Sequence, residues 1–265
     1  MNFLEHFNYQ ITGNQQGPKL VFLHGLLGAG HNWRRIIPHF EPHFQVLAYD
    51  QRGHGRSFQP EKGYSPEDFA QDLLLILDEL SWGQIHLVGH SLGGRNALCF
   101  ASLYPERVAK LVLVDIGPEL PPDSDQQIQQ ILQKVPVPFS SREEAQSSLK
   151  ASFPPSLAQF LYTNIEKKES GLYDWRFFKP GILQALEAGR SRSRWEEVRA
   201  LQVPTLVIRG QKSETLTSEV FQKMLHCNSL VEGVEILGAG HWVHADQPEE
   251  LTRLLKQFLQ DGGDL

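Results

Sequence analysis

Apolar and polar positions alternate over Phe7, Tyr9 and Ile11, which predicts a half-buried strand, and a turn from Gly13 to Gly17 then leads into the apolar run Leu20 to Leu23. The two runs so close together predict a hairpin-like opening. A short helical stretch near Trp33 to His39 and a strand from Phe44 to Tyr49 come next. The following helix announces its start: Ser65 is placed as N-cap, Pro66 falls in the first turn and Asp68 lies three residues after the cap. Tyr64 and Phe69 occupy the staple positions, and Leu73 to Leu80 supplies a face apolar enough to pack on a sheet.

A strand at Ile85 to Val88, a helix from Leu92 to about Leu103 and a strand at Lys110 to Val114 complete a β-α-β unit. Strands that alternate with helices imply a mostly parallel sheet. Beyond Asp115 the character changes. From Pro118 to about Arg199 the chain is helical and polar, jointed at Pro121-Pro122, Pro136-Val137-Pro138 and Pro154-Pro155, with a capping box from Ser141 to Glu144 and another helix expected after Pro155. The α/β pattern resumes with Thr205 to Ile208, a helix near Ser218 to Leu225, a strand at Val234 to Leu237 and an amphipathic helix from Pro248 to Leu259. The expected division is therefore a core from 1–117, a helical cap over 118–199 and the rest of the core over 200–265.

With 265 residues the chain can bury a sizeable core without staples. Its cysteines, Cys99 and Cys227, lack metal or redox spacing and read as two buried thiols. A formal charge of −6 gives no general field for nucleic acid or anionic lipid, and the basic run Arg190 to Arg194 reads as a solvated loop. The first residues show no leader pattern and no stretch reaches the length of a membrane span, so a cytoplasmic protein is expected.

Chemistry concentrates at three places. Gly89-His90-Ser91-Leu92-Gly93 fits G-x-S-x-G between an expected strand and an expected helix, the setting in which a serine is exposed on a strained turn as a nucleophile. Gly94 lets that helix pack closely. His24-Gly25-Leu26-Leu27-Gly28 follows an early strand, where the Leu26 N–H can meet a developing oxyanion together with the N–H of Leu92. His24 itself is read as a loop-fixing residue, as are Asp50 and Arg52. Gly238-Ala239-Gly240-His241 follows the last strand, so His241 is taken as the general base, with His244 as a partner or structural residue. For the acid, Asp115 at a strand end is preferred to Glu214; the position a few residues after Gly210 where an Asp is common holds Ser213.

These motifs, with Asp50 to Ser57 and Gly240 to Asp246, resemble the α/β-hydrolase superfamily from one end of the chain to the other. Within it the sequence looks most like small intracellular esterases of the YbfF and abhydrolase-domain-11 type, on His24-Gly25-Leu26, Val114 to Pro118 and Ala239 to Ala245. The resemblance implies an α/β-hydrolase fold with a helical cap inserted after the strand ending at Asp115. It also assigns the acid to the Val114-Asp115-Ile116-Gly117-Pro118 segment. Finally, it implies hydrolysis of short-chain ester or thioester substrates without a cofactor; the expected partner is a small acyl molecule, with no metal, no nucleic acid and no membrane span.

Aromatic residues of the cap, namely Phe153, Phe160, Tyr162, Tyr173, Trp175, Phe177 and Phe178, are expected to form its core, with lining of a pocket as the other use. The same fold and residues also serve C–C bond hydrolases and a lyase of menaquinone synthesis. The lyase would need cations such as Arg52 and Arg95 aimed at an acidic substrate. A binding module without turnover is the remaining reading. The oligomeric state is not encoded in these patterns.

Overall fold

The computed structural model of the protein describes residues 3–121 and 126–260, so Pro122 of the first expected joint lies outside them. The sheet contains β1 (Tyr9–Gly13), β2 (Lys19–Leu23), β3 (Gln45–Tyr49), β4 (Ile85–His90), β5 (Val108–Val114), β8 (Thr205–Gly210) and β9 (Val231–Ile236), in the order β1-β3-β2-β4-β5-β8-β9. Only β1 runs antiparallel to its neighbour; the other pairs are parallel. The expected hairpin does not form, because β1 pairs with β3 and β2 passes between β3 and β4. The turn at Gly13 is real, with φ +86°, but it directs the chain past β3 instead of back along β1.

Successive residues of the parallel strands feed opposite layers. Val21, Leu87, Leu111 and Val207 face α1 (Pro66–Glu79) and α2 (Leu92–Leu103), whereas Phe22, Val88, Val112 and Leu206 join Trp33, Phe40 and α10 (Pro248–Gln260) on the other side. Burial on both faces explains why these strands read as continuous apolar runs. α1 begins as its sequence predicts: the Ser65 hydroxyl accepts from the Asp68 N–H at 3.2 Å, and the Asp68 carboxylate accepts from the Ser65 N–H at 2.9 Å. α8 (Ser218–Cys227) and the short α9 (Val243–Asp246) complete the core.

Between β5 and β8 lie α3 (Gln126–Lys134), α4 (Arg142–Ser152), α5 (Pro155–Thr163), a small antiparallel pair β6 (Ile165–Lys167) and β7 (Tyr173–Trp175), α6 (Lys179–Arg190) and α7 (Trp195–Arg199). The segment has its own apolar core, with Leu132, Phe139, Leu161, Trp175 and Phe177, and that core takes in Leu27 from the loop after β2. The loop that follows β2 is therefore one of the places where the segment meets the core. Trp175 and Phe177 are buried as expected, Phe153, Phe160, Tyr162 and Tyr173 are half-buried against them, and Phe178 instead packs with Tyr64 and Leu92. At α4 the Ser141 hydroxyl caps Glu144 N–H, but the Glu144 carboxylate reaches back to Ser140.

Two further expectations change. The basic run is solvated only as far as Ser193: Arg190 to Ser193 are exposed, but Arg194 is 2% exposed and its guanidinium pairs with Glu197 at 2.6 Å and Glu67 of α1 at 3.0 Å, while the exposed Arg192 joins the same two carboxylates. Its arginines fasten α7 to α1. Both cysteines are free, but only Cys99 is buried; Cys227 is half-buried at the end of α8.

Candidate active site

The strand order reverses between β2 and β4, since the chain leaves β2 toward one sheet edge and returns through β4 toward the other. Open α/β sheets bind ligands at the carboxyl end of such a switch point. His24 follows β2 there and Ser91 follows β4.

Ser91 stands between β4 and α2 with φ 53° and ψ −117°, a backbone conformation that costs about 1–3 kcal/mol for a residue with a side chain. The flanking glycines are required by contact. A Cβ on Gly89 would lie 2.3 Å from the Gly93 carbonyl oxygen, and one on Gly93 would lie 2.5 Å from that of Leu23. Gly94 meets Ile116 in the same way, 2.5 Å from its Cγ2, so α2 lies against the end of β5. The turn is held by the Ser91 N–H, which donates to the Val114 carbonyl at 3.0 Å.

The structure brings Ser91, His241 and Asp115 into one hydrogen-bonded row. His241 Nε2 lies 3.0 Å from Ser91 Oγ and its Nδ1 lies 2.7 Å from Asp115 Oδ2. Asp115 is fully buried at φ +52° beyond β5. Its Oδ1 accepts from Gly210 N–H at 2.8 Å, and its Oδ2 also accepts from the Ser213 hydroxyl at 2.5 Å. Ser213, noted in the sequence only as the place where an Asp is missing, thus hydrogen-bonds the Asp115 carboxylate. Its role could be guessed only from that substitution. Glu214 is exposed and makes no bond to His241 among the described residues.

The loop carrying His241 is tied on both sides. Gly240 N–H donates to Asp246 at 2.9 Å, and the His241 carbonyl lies 2.8 Å from His90 Nε2. Gly210 permits the loop's approach, since a Cβ there would be 2.2 Å from the Gly240 carbonyl oxygen. His244 is buried between the rings of Trp33 and His90, 5.4 and 4.7 Å away, and burial first, then His241 and Arg34, lower its pKa to about 4. It makes no hydrogen bond to Ser91.

On the other side, the Gly25–Gly28 turn closes with Gly28 N–H on the Gly25 carbonyl at 3.0 Å and with Leu27 at φ 60°. The N–H groups of Leu26 and Leu92 have no acceptor among the described residues. His24 fixes the loop, as its sequence position suggests: Nδ1 lies 2.8 Å from the Gly25 carbonyl and Nε2 accepts the Gln51 N–H at 2.9 Å. Asp50 accepts from Gly30 N–H, Arg56 N–H and Asn8, and Arg52 forks onto Asp72 at 2.5 and 2.6 Å. Arg95 is buried against the Gly189 carbonyl of α6.

A cleft of about 400 Å³ is lined by Trp242 and His244, by Leu157 and Phe160 of α5, and by Asn32 and Arg34 from the segment after β2; neither Ser91 nor His241 is among its lining residues. Phe160 meets Trp242 edge-on at 4.2 Å, so at least this aromatic of the helical segment serves a cavity as well as a core. Among the described residues, no group of His, Cys, Asp and Glu is placed to hold a metal ion, and no helix is long and apolar enough to cross a membrane.

Comparison with known proteins agrees with this architecture. The sequence model of the α/β-hydrolase fold family matches residues 18–248. A Haemophilus influenzae protein described as an esterase/lipase is 29% identical over 97% of this chain and 88% of its own. The sn-1-specific diacylglycerol lipase ABHD11 of Danio rerio is 30% identical over 94% and 80%. Among solved structures, a marine microorganism esterase superposes with a TM-score of 0.85 at 29% identity, covering 95% of this chain and 98% of that one. With a family match across most of its length, the chain belongs to the α/β-hydrolase fold family, among relatives named as esterases and lipases.

Proposed function

We propose that the protein is a carboxylesterase-like serine hydrolase that cleaves the ester or thioester bond of a small acyl substrate through an acyl-enzyme. The observation that carries this reading is the row Ser91–His241–Asp115, at 3.0 and 2.7 Å, with two unused N–H groups beside the serine. Ser91 Oγ attacks the carbonyl carbon while His241 Nε2 takes its proton. The charge that develops on the carbonyl oxygen is met by the N–H groups of Leu26 and Leu92, which need no reorganisation to receive it. His241 then returns the proton to the departing alkoxide or thiolate, and water repeats the sequence on the acyl-enzyme, regenerating Ser91 and releasing the acid. Asp115 holds the histidine in the tautomer whose Nε2 is free to accept and stabilises the imidazolium.

The engagement of Arg52 by Asp72 and of Arg95 by Gly189 weighs against a lyase that needs cations over an acidic substrate. The test is hydrolysis of p-nitrophenyl esters from acetate to decanoate by wild type and Ser91→Ala near pH 8. Turnover should fall by several orders of magnitude in the variant. Undiminished hydrolysis by folded Ser91→Ala protein, or none by wild type, would overturn the reading.

A further inference from the structure

His90 lies between the nucleophile's turn and the base's loop, and the mechanism above does not use it. It is the residue before Ser91, 2% exposed, and its ring makes three contacts that meet around the site. Nε2 lies 2.8 Å from the His241 carbonyl oxygen, which can only accept, so this nitrogen carries the ring proton and donates it. The ring packs 4.8 Å from that of His241 and 4.7 Å from that of His244. The opposite edge faces Gly25, where a Cβ would lie 2.8 Å from His90 Nδ1; a larger residue at 25 would displace the ring or the loop that presents the Leu26 N–H.

We infer that His90 is a positioning residue: its Nε2–H binds the base's loop to the nucleophile's turn and so fixes the reach of His241 to Ser91 before substrate arrives. The role presupposes the serine-hydrolase reading, in which those two side chains exchange a proton. Ser91 and His241 are separated by 149 intervening positions and stand on different strand ends, and their own contact at 3.0 Å must loosen and re-form during each turnover. A second link that takes no part in the proton transfer keeps the two segments in register while it does so. The ring must also be neutral, because a charged one would repel the imidazolium that His241 becomes. Burial, and after it His244, His241 and His24, hold the His90 pKa well below its usual value, and no carboxylate is among the groups acting on it.

The experiment compares His90→Phe, His90→Gln and His90→Asn. Phe keeps a ring without the donor, Gln can place an N–H near the Nε2 position, and Asn places it near Nδ1, too short to reach the His241 carbonyl. Expected are a kcat for Phe and Asn lower by about 10- to 100-fold with KM changed less than about threefold, and recovery of most of the loss in Gln. Deuterium uptake over residues 238–246 reads the same link without substrate: it should rise in Phe and Asn and stay near wild type in Gln. A folded Phe or Asn variant with wild-type kcat and uptake, or a Gln variant no better than Asn, overturns the inference. Wild-type protein inert toward every ester would instead count against the hydrolase reading, and the uptake comparison would still decide whether His90 ties the loop.

Discussion

At Asp115 a left-handed backbone and complete burial of a carboxylate coincide, and such a site persists only where the charge is well satisfied. Gly210 N–H, Ser213 Oγ–H and His241 Nδ1–H supply that satisfaction. Replacing the residue with Asn presents an N–H₂ that His241 can meet only with its other tautomer, leaving no lone pair for the serine proton. Asp115→Asn should therefore reduce kcat by roughly 10⁴-fold, while Glu214→Gln stays within about twofold, in steady-state assays on one ester. The reverse ranking would move the acid to the later strand. The residues of this row were readable from sequence because their positions follow from strand ends and glycines. Ser213 and His90 were not, since what they do depends on which loops meet, and a hydroxyl or imidazole beside a motif carries no local signal of its partner. Arg194 failed for the same reason: three arginines spaced by serines look solvated until Glu67, far away in sequence, is brought to them.

Elements whose boundaries are written in local chemistry were the legible ones. α1 starts at its capping box, and α2 begins immediately after the serine because Ser91 itself cannot be helical at φ 53°. Removal of the cap hydroxyl in Ser65→Ala should cost about 1 kcal/mol in urea-induced unfolding, with kcat unaffected. The nucleophile's turn is less forgiving. Gly93→Ala would drive a methyl group against the backbone oxygens of Leu23 and His24, at 2.5 and 2.6 Å, and backbone cannot swing aside as a side chain can. A loss of at least about 2 kcal/mol, or protein that does not fold, is expected; an equally stable and active Gly93→Ala enzyme would mean that α2 and β2 are not packed as described. What local pattern could not give was pairing. Phe7, Tyr9 and Ile11 do foreshadow β1, but nothing between residues 13 and 17 says that the next strand will be skipped in favour of β3. β6 and β7 escaped notice because three residues are too few to show a period, and their pairing rests on the register of Ile165 with Trp175.

At the scale of the whole molecule, the burial of neutral histidines sets how the protein meets acid. His54 is pushed down to about 3 and His244 to about 4, by burial first, and His24 and His90 are lowered for the same main reason. In the unfolded chain each titrates near its ordinary value of about 6.5. Between that value and the folded one, the unfolded state binds a proton that the native state refuses. Each such histidine therefore removes about 1.4 kcal/mol of stability per pH unit in that window, with the full stability present above about 6.5. Glu67 behaves differently: burial raises its carboxyl, but hydrogen bonds from Arg192 and Arg194 prevail and leave it at about 2. What it contributes is present above about 4.5 and is lost as the pH falls from there through about 2, and its exposure, 42% of the side chain, keeps that contribution small. Acid should thus weaken this fold first through its histidines and only later through the Glu67 link between α7 and α1. Urea unfolding at half-unit steps from pH 7.5 to 4.5 should show stability falling below 6.5. His244→Phe, which keeps a ring against Trp33 and has no proton to gain, should lose stability less steeply, by about 1.4 kcal/mol per unit. Glu67→Gln should run parallel to wild type until about pH 4.5. Parallel curves for wild type and His244→Phe would mean that His244 takes up its proton in the native state, which its place between Trp33 and His90, with Nδ1 buried and unbonded, does not allow.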